Sequence, residues 1–81
     1  MQDMATIIEQ PELEYFRLNV RRLCADRKQR AVALRADISP EYLSCVLAGR
    51  SNPSLGVAAN IARGLGVPLT ALLTDPALFK I

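Results

Sequence analysis

The chain has no histidine and no tryptophan, only two cysteines, and aromatic residues make up just 5% of it. Without histidine, both the commonest general base and the commonest metal ligand at neutral pH are missing. No glycine-rich phosphate loop, metal-ligand spacing or nucleophile beside a base stands in its place, so no catalysis, cofactor or metal is expected. Cys24 and Cys45 are too few for a disulfide scaffold and read as reduced thiols of a cytoplasmic protein. Long apolar runs are missing as well, and none approaches the ~20 residues that span a bilayer. Met1 to Gln10 carries Asp3 and Glu9 with no basic residue, so no secretory leader is expected there, and no membrane partner.

What the chain does have is aliphatic. Hydrophobic residues reach 51%, and with so few aromatics the core must be built of Leu, Val, Ile and Ala. That composition favours helices over a sandwich or barrel. Eighty-one residues make one domain with a modest core. The net charge of +2 is unevenly spread: residues 1–16 sum to −4, residues 17–50 to +5 and residues 51–81 to +1. The basic excess sits mid-chain, where it serves either to meet a polyanion or simply to solvate helix faces.

Residues 1–11 show no period and read as an N-terminal arm, followed by a helical unit over 12–74 and a tail over 75–81. Leu13, Phe16, Val20 and Leu23 recur at spacings of three and four, so a helix from about Glu12 to Asp26 has one apolar face. Arg17, Arg21 and Arg22 lie on its other face. A polar break at Arg27 and Lys28 precedes a short helix, Gln29 to Ala36, with Val32, Ala33 and Ala36 inward. Asp37 follows at the helix end, a position that often requires the left-handed conformation Asp tolerates. Ser39-Pro40-Glu41 reads as N-cap, first helical residue and dipole-complementing acid of a third helix to about Ala48, with Gly49 ending it. Leu43, Val46 and Leu47 face inward there. Ser54 caps a fourth helix to Leu65 with Leu55, Ala58, Ile61, Ala62 and Leu65 on one face, and Gly66 stops it. Val67-Pro68 opens a fifth helix through Leu73, which Asp75-Pro76 ends. The expectation is an all-α bundle of five short helices.

A short helix, a three-residue turn (Asp37-Ile38-Ser39) and a second helix form the geometry that places a helix in the DNA major groove. Ala33 is the small residue this needs in the first helix, Ile38 is expected to bury between the two, and Leu43 or Val46 anchors the second. From here the sequence resembles the lambda-repressor-like (Xre or Cro-type) helix-turn-helix regulators. The matching residues run Gln29-x-x-Val32-Ala33, Ile38-Ser39-x-x-Tyr42-Leu43-Ser44 and Gly49-x-x-x-Pro53-Ser54-Leu55. They end with Ile61-Ala62-x-x-Leu65-Gly66-Val67-Pro68-x-x-x-Leu72-Leu73, so the resemblance covers about residues 13–74.

The resemblance implies a five-helix lambda-repressor-like domain that binds double-stranded DNA. It implies base reading by Ser39, Pro40, Glu41, Tyr42 and Cys45 at the third helix. It implies phosphate contacts from Gln29, Arg50, Ser51 and Asn52, to which Ser44 and the flanking cations Arg22 and Arg30 are added as candidates. Two departures stand out: the turn position usually held by Gly is Asp37, and Pro40, Glu41 and Cys45 replace the usual polar readers. Glu41 can accept from cytosine N4, and Tyr42 or Cys45 can touch a thymine methyl. Read from the residues alone, Gln29 and Ser39 either cap helices or contact DNA, and Tyr42 faces either the groove or the first helix. Cys45 is either a groove contact or an inert small side chain.

A module this small is expected to act as a homodimer, with Leu69, Leu72, Leu73, Leu78 and Phe79 as the contact, unless the tail folds back over its own core. With no effector domain after the bundle, regulation would come from protein level, dimerisation or a protein partner such as a toxin or antirepressor. A repressor is the expected role. The rival is a helical protein-interaction module or antitoxin with weak or lost DNA binding, which Asp37 and Glu41 favour.

Overall fold

In a computed structural model, residues 11–25 and 28–79 are described, and all of their regular structure is helical. The chain runs through α1 (Pro11–Cys24), α2 (Gln29–Ala36), α3 (Pro40–Leu47), α4 (Leu55–Leu65) and α5 (Leu69–Leu72), and a 3-10 turn at Pro76–Phe79 follows. The expected arm over 1–10, the break at Asp26 and Arg27, the Phe79 side chain, and Lys80 and Ile81 lie outside the described residues.

Each helix has a local cause. α1 opens on Pro11 with Glu12 and Glu14 in its first turn and closes with Arg21 and Arg22 in its last, so both ends suit the helix dipole. It ends at Cys24, two residues short of the expected Asp26. At the end of α2, Asp37 takes the left-handed conformation (φ 63°, ψ 40°), and its N–H donates toward the Ala33 and Leu34 carbonyls. Ile38 N–H also donates to Ala33 O (3.0 Å). These are the carbonyls a helix end leaves orphaned, and the left-handed residue turns the chain to satisfy them. Ser39 then caps α3, its Oγ accepting from Tyr42 N–H (3.0 Å), with Pro40 in the first turn. Ser54 caps α4 in the same way through Val57 N–H (3.1 Å). Gly49 (φ 85°) and Gly66 (φ 77°) supply the left-handed turns after α3 and α4.

The core gathers one stripe from every helix: Phe16 and Val20, Val32, Ala33 and Ala36, Leu43, Val46 and Leu47, Ala58, Ile61, Ala62 and Leu65, and Leu72. Ile38 packs at its edge, half-buried. α2 packs chiefly on α4, and the approach is close enough that a Cβ on Gly64 would lie 3.2 Å from both Arg35 Cβ and Val32 O. Leu55 departs from its expected inward place and is 75% exposed. It shares a stripe with Ala58 and Ala62, but as the first residue of α4 it projects past the edge of the core. Leu72, expected at a dimer contact, is fully buried beneath its own chain and is not a surface residue. α5 is shorter than expected, since Val67 and Pro68 precede it and Leu73 is its C-cap.

Among the described residues, one polar side chain is buried with the core. Asn19 on α1 donates through Nδ2 to Leu72 O (3.0 Å) and Thr74 O (2.9 Å), with Ala71 O at 3.5 Å. It thereby ties the end of α5 and the start of the tail to α1, against which the 3-10 turn also lies.

Candidate nucleic-acid interface

α3 presents Glu41, Ser44 and Ala48 to solvent, at spacings of three and four that set them on one face. Pro40, Tyr42 and Cys45 flank that stripe half-buried, and Tyr42 packs against the core. Of the five expected base readers, Glu41 is thus exposed on the outward face, while Ser39 is exposed with its hydroxyl engaged as the cap. Ser44, expected at a phosphate, shares the outward face with Glu41. Cys45 and Cys24 are both half-buried and are not joined in a disulfide.

The C-terminal end of α3 is held by α1. Its last four carbonyls all have donors, although a helix end leaves these groups without intrahelical partners. Ser44 O accepts from Ala48 N–H (2.9 Å), and Cys45 O accepts from Arg50 N–H (2.9 Å) and Ser51 N–H (3.3 Å). Val46 O accepts from Gly49 N–H (3.2 Å) and from Arg17 Nε (2.8 Å). Leu47 O accepts from Arg21 Nη2. Arg17 and Arg21, one turn apart on α1, therefore set two cations at the negative end of the α3 dipole. Sequence periodicity places them on the polar face of α1, open to either a polyanion or solvent. Their i, i+4 spacing shows that they share a direction, but nothing local says that α3 carbonyls lie along it.

Arg17 also reaches the loop after α3, donating through Nη2 to Asn52 Oδ1 (2.8 Å) and Ser51 O (3.4 Å). Asn52 is exposed and Ser51 half-buried. Beside them Arg50 is exposed, and among the described residues only its backbone N–H is engaged. At the other end of the motif, Gln29 and Arg30 are exposed in the first turn of α2. The capping role left open for Gln29 is not what it does: Lys28 is the N-cap, and among the described residues no side chain caps this helix. Orphan N–H groups at the start of a helix suit an anion. Arg22 is exposed and donates through Nη2 to Asn19 Oδ1 (3.3 Å) on its own helix.

Chemically, this region offers N–H donors, amides and guanidinium groups around one outward helix face. Among the described residues no group of three or more His, Cys, Asp or Glu side chains is placed to hold a metal ion. No described helix is long and apolar enough to cross a membrane. A family model described as Helix-turn-helix matches residues 21–72, well over half of the chain. Neither curated proteins nor solved structures give a significant match.

Proposed function

The chain belongs to the lambda-repressor-like helix-turn-helix family of DNA-binding regulators, and from that premise we propose that it is a repressor that reads the major groove with α3. The observation that carries this is the outward stripe of Glu41, Ser44 and Ala48 on a helix whose two ends are fixed, by the Ser39 cap and by Arg17 and Arg21. Base recognition needs such a rigid element, since hydrogen bonds to base edges are short and directional. Phosphate contacts from Gln29, Arg30, Arg50, Ser51 and Asn52 set the register. Glu41 then accepts from cytosine N4, and Cys45 and Ala48 meet a thymine methyl.

The protein acts as a homodimer on half-sites ~34 Å apart, which doubles the contact of a small module. Leu78, 72% exposed, and the half-buried Leu69 and Leu73 support a contact at the C-terminal end. Control then comes from protein level or from a protein partner such as a toxin or antirepressor, in the cytoplasm, and no catalytic step is assigned. The exposed acids Asp37 and Glu41 favour a second reading, a protein-interaction module without DNA affinity.

Binding to a random-sequence duplex as a function of salt separates the two. Affinity at ~50 mM salt that falls steeply with added salt supports the regulator, because phosphate contacts release counterions. No binding at that salt supports the interaction module. Arg50→Ala is expected to weaken binding with the unfolding midpoint unchanged, since the Arg50 side chain makes no bond within the described residues.

A further inference from the structure

We propose that Arg17 is a positioning residue that aims the Asn52 amide at a DNA phosphate; this rests on the DNA-binding reading above. Arginine only donates, so the amide atom facing Arg17 Nη2 at 2.8 Å is the oxygen, and the Asn52 Nδ2 hydrogens point away from α1. The same guanidinium is pinned through Nε to Val46 O at 2.8 Å, so the fork that holds Asn52 cannot swing. Asn52 precedes Pro53, which confines its backbone to extended conformations. Backbone and side chain are therefore both fixed on an exposed residue whose Nδ2 has no partner among the described residues.

An amide ordinarily offers a donor and an acceptor. Here the acceptor is consumed by a cation, so what faces solvent is a donor alone. Donation into Oδ1 by a positive group also polarises the amide and strengthens its N–H groups as donors. A ligand that only accepts fits that surface, and a phosphate oxygen beside the exposed Arg50 is such a ligand. Arg17 itself is half-buried and committed inward, so it acts through Asn52. It lies before the matched residues 21–72.

The test is a double-mutant cycle on the full chain with Arg17→Lys, Asn52→Ala and both, using a random-sequence duplex. Affinity is measured at several salt concentrations, at a temperature where unfolding curves show each protein folded. Each single change is expected to weaken binding about five- to tenfold, the scale of one ordinary net hydrogen bond. The double variant is expected to bind no more weakly than the weaker single. The salt slope stays at its wild-type value, including in Arg17→Met, because no cation paired with phosphate is lost. Multiplying losses in the double variant, no effect of Asn52→Ala, or a slope shallower by about 0.9 in Arg17→Met would each overturn the inference. A wild-type protein without DNA affinity removes the regulator reading itself, and the inference with it. Variant results bear on Arg17 alone once wild-type binding is measured.

Discussion

Replacing Asn19 by alanine should unfasten the C-terminal end of the bundle. Asn19 is 1% exposed, and its Nδ2 supplies Leu72 O at 3.0 Å and Thr74 O at 2.9 Å. Each such bond contributes about 1 kcal/mol net, and a buried acceptor left without a donor costs about 1–3 kcal/mol. With the small cavity added, the loss comes to about 2–4 kcal/mol. A chain of this length has roughly 4–12 kcal/mol in total, so the midpoint of thermal unfolding should fall by about 10–25 °C. Urea unfolding followed by far-ultraviolet circular dichroism measures the free energy directly. Asn19→Asp is the sharper control, since it keeps the size but turns a carboxylate toward carbonyl oxygens, and it should be at least as damaging. A loss under about 0.5 kcal/mol for Asn19→Ala, or wild-type stability for Asn19→Leu, would refute the reasoning, because neither side chain can donate to the α5 carbonyls.

Asp37→Gly should raise stability by about 0.5–1 kcal/mol in urea unfolding, since glycine adopts the left-handed conformation without a Cβ penalty. Gly64→Ala gains helix propensity but forces a Cβ to within 3.2 Å of Val32 O, a backbone atom that cannot step aside. A net loss of about 1–2 kcal/mol by the same assay is expected, as for other overpacked contacts. Ser39→Ala removes the bond to Tyr42 N–H and should cost about 1 kcal/mol, read as a lower unfolding midpoint.

The punctuation of this fold is legible in the sequence because its causes are local. Ser39 and Ser54 cap from three residues away, and Asp37, Gly49 and Gly66 take their left-handed turns where helix ends demand them. Periodicity finds Phe16 and Val20 for the core by the same local logic. Leu55 shows its limit: spacing gives the direction of a side chain but not how far along the helix the core extends. Asn19, Arg17 and Arg21 escape the sequence for a different reason. Their acceptors lie 26 to 55 residues away in the chain, and all are backbone carbonyls except Asn52. A carbonyl has the same chemistry at every residue, so no pattern in the side chains can announce which ones an arginine will meet. The candidate interface was therefore legible in its outline, from Gln29 to Asn52, while the means by which α1 holds it was not.

The attachment of α3 to α1 limits how far this helix can be moved between proteins. An eight-residue segment is well below the ~12–15 residues at which an isolated helix becomes even marginal in water. Its carbonyl end is secured by residues from a different helix, so the transferable unit is not the Pro40–Leu47 stretch. It is that stretch together with Arg17 and Arg21 at their spacing on α1. A graft of the outward residues onto another scaffold would keep their arrangement where the host supplies two cations at the same two carbonyls.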